Sequence, residues 1–450
     1  MFKTAGVRSK RRAFSGLSLV CLAVILGACT HPPTTDSGES KSRVVENVAS
    51  KSTAELYADL IAPAVFERSS SKVIDGYTVE SGKLRMPDKS EGSLVTVRSA
   101  DGSLTALINK PGKFGSLHVD SKGVSHFVPE PDTNVGVEDA VPNPSEQVTT
   151  APVGSTQAEH FVVDVLMGYS KAGVIRAGGD AYADALAKIE LVNMMLRNSL
   201  VDNVSLRLVG IQVVEDDYPI TTETLGKLRT IFAEGMARFQ PDVTYGNFAY
   251  IVPGGAIGWG WRPGGSAIGV SSSASTFAHE IGHNAGSSHC NVDGVNNYHF
   301  GYFNGKSRSI LCHGPNSIYY STPAVMDQYG LPLGNAVTAD TARVWRENAV
   351  RLSSYAPPQS PPTAPVNFAK AGSTANTITF SWNASPKAVR YEIYSVKFAE
   401  GLGPLPEKIG DSTGLTFTAT NIYGEALYFV KAVSFTELVS LPSKSVVTTP

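Results

Sequence analysis

The chain is 450 residues long, with 38 lysines and arginines against 40 aspartates and glutamates, for a formal net charge of −2. That balance, with no basic stripe, argues against nucleic acid as a partner. The length accommodates about three domains, and no internal repeat is evident.

Lys3, Arg8, Lys10, Arg11 and Arg12 form a basic leader, followed by GLSLVCLAVILGA, an apolar run too short to be a stable span. It ends in Leu26-Gly27-Ala28-Cys29, which resembles the bacterial lipoprotein signal. The resemblance implies a signal peptide over 1–28, a lipid on Cys29 and anchoring to the membrane through that lipid. The expected location is the cell envelope, at the outer membrane or cell surface, unless processing releases the chain. Cys21 leaves with the signal and Cys29 takes the lipid, so Cys290 and Cys312 remain of the four cysteines. Two cysteines in an exported chain suggest one disulfide. Closing a loop of about 22 residues contributes about 3 kcal/mol on the loop-entropy estimate.

Residues 29–71 open with a polar, Ser/Thr-rich run and read as a tether. From 72 to 128, alternating segments such as SLVTVRSA and LTALINK are broken by Gly, Asp and Pro, which predicts a small all-β unit. Its place ahead of a longer region of strands and helices gives it the character of a propeptide. No cysteine lies between Cys29 and Cys290. Residues 129–157 read as an exposed linker open to processing. Over 158–355, strands and helices alternate. FVVDVLM and SLRLVGIQVV read as strands. Helices are expected over Asp180–Ser199 and Thr222–Phe239 from their apolar periodicity. FAYIVP and SAIGVS are further strands. The glycine-rich GGAIGWGWRPGG lacks the context of a phosphate loop and reads as a mobile rim of a cleft.

The stretch TFAHEIGHNAGSSHC, Thr276–Cys290, holds three of the nine histidines of the chain. His279 and His283 stand at i and i+4, so on a helix their imidazoles share one face, one turn apart. Gly286 tolerates a backbone that ends the helix and turns the chain, which brings His289 back toward the same point. Three imidazoles with an open fourth position describe a catalytic Zn2+ site, since a structural site is closed by four protein ligands. Glu280 is then placed to deprotonate a water rather than to bind the metal.

His279, Glu280, His283, Gly286 and His289 match the long zinc signature of the metzincin metallopeptidases. FVVDVLMGYSKAG, STFAHEIGHN, YYSTPAV and ADTARVWRENA resemble segments of the reprolysin-like bacterial branch, and within it of the peptidyl-Asp metallopeptidases. The resemblance covers roughly 160–355. It implies a zinc endopeptidase acting on a protein or peptide substrate, with an extended peptide pairing against an edge strand around Ala267–Val270. Two departures stand out. Cys290 follows the third histidine where the branch has aspartate, and SRSILCHG places Leu311 where the branch has a methionine beneath the zinc.

Residues 356–365 form a Pro-rich spacer, and 366–450 read as short alternating strands. They resemble a fibronectin type III domain, with Trp382 and Tyr391 as core aromatics and Ala426 in place of a usual tyrosine. Such a domain implies a surface or matrix ligand. The expected fold class is multidomain: an α/β metzincin-like catalytic domain with a mixed twisted sheet, a small all-β N-terminal unit and a C-terminal β-sandwich. The alternative is a noncatalytic zinc-containing adhesin that binds through its sandwich. A metallopeptidase of narrow specificity is a further possibility.

Overall fold

The computed structural model describes residues 43–44, 61–131, 138–146, 159–312, 317–357, 360–397, 406–420, 424–434 and 438–448. The leader, Cys29 and most of the tether lie outside the described residues. Among the described residues, no helix is long and apolar enough to cross a membrane.

The N-terminal unit is a seven-stranded antiparallel sheet. Its strands are β1 (Arg43–Val44), β2 (Val65–Ile74), β3 (Tyr77–Arg85), β4 (Glu91–Arg98), β5 (Leu104–Lys110), β6 (Lys113–Val119) and β7 (Val124–Pro129). Sheet order is β1-β7-β6-β5-β4-β3-β2. The unit begins ahead of Lys72. β2 is an edge strand whose Glu67, Arg68, Ser69 and Ser71 face solvent, so its composition resembles that of a tether. The stretch 129–157 is not all linker either, because Ala140–Pro142 forms a strand, β8.

β8 completes a second, six-stranded sheet with β9 (Phe161–Ser170), β10 (Val204–Val214), β11 (Val243–Phe248), β12 (Gly258–Arg262) and β13 (Ser266–Val270). The order is β10-β9-β11-β13-β12-β8. β10, β9, β11 and β13 are parallel, and β12 runs antiparallel to β13. Two expectations are corrected here. Ala267–Val270 is not the edge, because β12 covers it. The glycine-rich stretch is not only a rim, because Gly258–Arg262 is that covering strand. Its small residues hid the strand from a propensity reading.

Helix α1 (Lys171–Arg176) and helix α2 (Ala181–Asn198) connect β9 to β10. α2 was expected to show one apolar face, yet Ala183 through Leu196 are all buried. The central sheet covers one side. The N-terminal sheet covers the other, with Val79, Val95, Val97 and Leu107 in the same core as Leu186, Ile189 and Val192. Polar residues on α2 are accordingly paired. Lys188 donates to Asn247 and the Ser271 carbonyl at 2.8 and 2.7 Å, and Glu190 meets Lys72 at 2.7 Å and Ser81 at 2.6 Å. Between β10 and β11 the expected single helix is broken at Phe232 into α3 (Thr222–Ile231) and α4 (Ala233–Phe239). There the buried Phe232 ring lies where a side chain on Gly168 would stand.

The rest of the central region supplies α5 (Ala274–Ala285), β14 (Ser288–Cys290), β15 (Phe300–Gly301), a 3-10 turn at Ile310–Cys312, the β16 (Thr322–Met326) and β17 (Pro332–Leu333) pair, and α6 (Thr341–Leu352). The C-terminal unit is a β-sandwich. Its first sheet holds β18 (Ala369–Thr374), β19 (Thr377–Ser381) and β22 (Thr416–Thr420). The second holds β20 (Ala388–Lys397), β21 (Glu407–Ser412), β23 (Ala426–Ser434) and β24 (Val446–Thr448). Trp382 and Tyr391 lie in its core, and Tyr428 stacks on Phe380. Ala426 is buried at the start of β23.

His118 of β6 sits where the N-terminal sheet meets the loop between α1 and α2, its ring filling the space a side chain on Gly178 would need. Burial, with smaller contributions from His126 and Lys188, pushes its pKa down from 6.5 to about 4, against the pull of Asp180. The unfolded chain therefore binds the proton first as pH falls. The stabilisation is complete above pH 6.5 and is lost as pH drops toward 4, by up to about 3 kcal/mol. Melting curves between pH 7 and 4.5 should show this slope in the wild-type chain and a shallower one in His118→Gln.

Candidate metal centre

Helix α5 carries the first two histidines, and its ends are fixed by different means. Ser273 is its N-cap, accepting from the Thr276 amide at 3.1 Å. Glu130, just after β7, adds a carboxylate there, accepting from the Ala274 and Ser275 amides at 3.0 and 3.2 Å. At the other end Gly286 adopts φ +114°, a left-handed value suited to glycine, and the Ser287 amide donates to Gly282 O at 3.0 Å. Arg351 of α6 donates to the Asn284 and Ala285 carbonyls at 2.9 Å each. The turn delivers His289 on β14, and the disulfide Cys290–Cys312 ties that strand to the 3-10 turn.

His279, His283 and His289 converge. Their Nε2 atoms stand 3.0, 3.1 and 3.2 Å apart. A tetrahedron with bonds of about 2.0–2.1 Å has edges of about 3.3 Å, so the three nitrogens fit one ion. Nδ1 of His279 donates to the Ile310 carbonyl at 3.0 Å and Nδ1 of His283 to the Ser287 carbonyl at 2.8 Å. These bonds leave each Nε2 lone pair turned inward, as a metal ligand requires. Leu311 is fully buried beneath α5, against Gly282.

A fourth donor completes the cluster. Asp139 belongs to the stretch read as linker, yet it is buried and lies with the three histidines in one potential metal-binding group. Its Oδ1 is 2.6 Å from His289 Nε2, 3.2 Å from His283 Nε2 and 3.6 Å from His279 Nε2. Burial alone would raise the Asp139 pKa, but the imidazoles, His279 foremost, outweigh it and hold the carboxyl far below its usual range. Burial lowers the His283 pKa to about 4, which favours the neutral ligand form. For His279, burial also opposes the charge, but Asp139 overcomes it and raises the pKa.

Glu280 does not join the donor set. It is buried, its Oε2 has no hydrogen-bond partner, and burial followed by the Asp139 charge raises its pKa well above normal. It lies under β12, where side chains on Gly258 or Gly260 would strike its carboxylate. Those two glycines, Glu130 and Asp139 escaped the sequence reading. Asn284 links the layers, donating to the Trp261 and Ser266 carbonyls at 2.9 Å each. Beside His289, a cleft of about 880 Å³ is lined by Ala140, Pro142, Arg262, Phe303 and Arg308. His299 does not reach the cluster; its Nε2 is buried without a partner. Tyr320 is core, its hydroxyl donating to Ala278 O at 2.9 Å, while Tyr319 meets Glu91 and Lys83 of the N-terminal sheet. His313 lies outside the described residues.

No protein-family model matches the chain, and no curated protein matches it. Among solved structures, a chain titled a chaperone–substrate complex is 21% identical over 58% of this chain and 41% of its own length, with a TM-score of 0.40. This chain thus spans less than half of that one. An Fn3-like protein from Clostridium thermocellum is 26% identical over 20% of this chain and 92% of its own, with a TM-score of 0.17. The fibronectin type-III domain of human fibronectin type III domain containing protein 3 is 21% identical over 21% of this chain and 89% of its own, at 0.18. The architecture described above rests on the strands and packing of this chain.

Metal binding to such a cluster adds to folding stability. Adding metal at about 100 times its dissociation constant should stabilise the wild-type chain by about 2.7 kcal/mol. A chelator should reverse this. His283→Ala should show neither response, as measured by calorimetric melting.

Proposed function

We propose that this chain is a surface-anchored zinc endopeptidase. The observation that carries the reading is Glu280, a buried carboxylate without a hydrogen bond beside three converging imidazoles. A purely structural metal site has no use for such a group. Three imidazoles and an oxygen donor suit Zn2+. When bound, zinc would polarise the scissile carbonyl and make water acidic enough to be activated near neutral pH.

The chain's own residues supply the rest. His279, His283 and His289 would hold the ion. β12 is the sheet edge along which an extended peptide would pair, through the bonds β8 now makes. Glu280 lies directly under that edge. There it would take a proton from the attacking water on its free carboxylate oxygen and pass it to the leaving nitrogen. Burial, which raises its pKa, makes the carboxylate a stronger proton acceptor than a solvated one. The metzincin resemblance, carried by His279, Glu280, His283, Gly286 and His289, supports the same reading. The lipid on Cys29 would hold the enzyme at the envelope, and the sandwich would engage a surface or matrix ligand.

The noncatalytic adhesin reading draws on Asp139, because four protein donors mark a structural site. The two readings part on Glu280. In zinc-loaded full-length chain carrying Asp139→Ala, adding Glu280→Gln should leave the zinc content unchanged and slow peptide-library cleavage by about 10²–10⁴-fold. Equal cleavage with and without Glu280→Gln would remove Glu280 from the chemistry.

A further inference from the structure

We infer, building on the peptidase reading, that the chain as it stands is latent and that Asp139 is the device. Its carboxylate holds the position that water and the scissile carbonyl need. The strand that follows it fills the peptide-binding edge.

Four observations carry this. Asp139 Oδ1 faces all three imidazoles, within 2.6 Å of His289 Nε2. Its own carbonyl accepts from the Gly260 amide at 3.0 Å, and β8 continues in register along β12, pairing Ala140 with Gly260, Val141 with Trp261 and Pro142 with Arg262. The Asn143 amide then donates to Arg262 O at 3.1 Å. A carboxylate therefore takes the reacting position while backbone occupies the groove beside it.

The segment is also held at both ends by carboxylates docked on the catalytic region. Upstream, Glu130 caps the helix that carries His279 and His283. Downstream, Glu146 accepts from the Tyr355 hydroxyl and lies 3.5 Å from Arg351, the residue that caps the other end of that helix. The block is nonetheless removable. β8 has three residues, pairs with β12 alone, and does so in parallel, the weaker geometry per residue. Asp139 also lies 140 positions before His279, on the far side of the catalytic strands from the rest of the ligand set.

The test uses full-length chain loaded with Co2+ in place of zinc, titrated with acetohydroxamate and followed by the visible absorption of the cobalt. If the segment is displaced about 1% of the time, the apparent Kd for the hydroxamate is raised about 100-fold in the wild type relative to Asp139→Ala. Asp139→Asn, of nearly the same shape, should also bind tightly, which guards against a folding defect in the alanine variant. Equal titration of wild type and both variants overturns the inference. So does loss of cobalt from both variants with a fall in Tm like that of His283→Ala, since Asp139 would then be a structural ligand. Tight hydroxamate binding by the variants without cleavage of any library peptide leaves the latent arrangement standing and removes the peptidase reading instead.

Discussion

Three imidazole nitrogens and a carboxylate oxygen aimed at one point form the constraint on which this structure depends. Lone pairs packed 3.0–3.2 Å apart are tolerated only where they share a cation or protons, so the surrounding chain has to hold them there. It does so with backbone rather than with long side chains. The Ile310 and Ser287 carbonyls orient two rings, and the left-handed Gly286 reverses the chain toward the third. Leu311 packs from below, and the disulfide keeps His289 and the Ile310 turn on adjacent, covalently joined strands of chain.

The helix that carries two of the donors is capped by residues from distant parts of the chain. Glu130 belongs to the N-terminal unit and Arg351 to α6. Each satisfies terminal backbone groups of α5 and complements the charge of its dipole. Asn284, on the same helix, reaches across to both β12 and β13. Helix α5 is therefore tied directly to both strands. Gly258 and Gly260 let β12 lie directly over Glu280, and they keep the carboxylate buried and without a hydrogen bond.

The N-terminal sheet and the segment that follows it meet the rest of the chain in different ways. The sheet's apolar residues share a core with α2, so detaching it exposes Leu186, Val192 and their neighbours to water, at about 25 cal/mol for each Å² uncovered. Asp139 and β8, by contrast, hold the cleft through a few polar contacts and a three-residue ladder. The Glu190 carboxylate, met by Lys72 and Ser81 from the sheet and by Arg197 from its own helix, shows how closely the two units are fitted.

The sequence by itself determined what local spacing can encode. Two histidines one helical turn apart, a glycine three residues on and a third histidine specify a convergent ligand set, because helix pitch and a left-handed turn are properties of a few adjacent residues. The alternating strands of the sandwich and the buried runs of β9 and β10 were legible for the same reason, as was the pairing of the last two cysteines. Only the tertiary structure decided which strand is the edge, that α2 is covered on both sides, and that Asp139 completes the ligand set. Asp139 lies in a polar stretch with no periodicity, and nothing in its neighbours distinguishes it from a solvated linker aspartate. Its role comes from the fold of two sheets around one helix, which brings it to His289 across 150 positions of sequence.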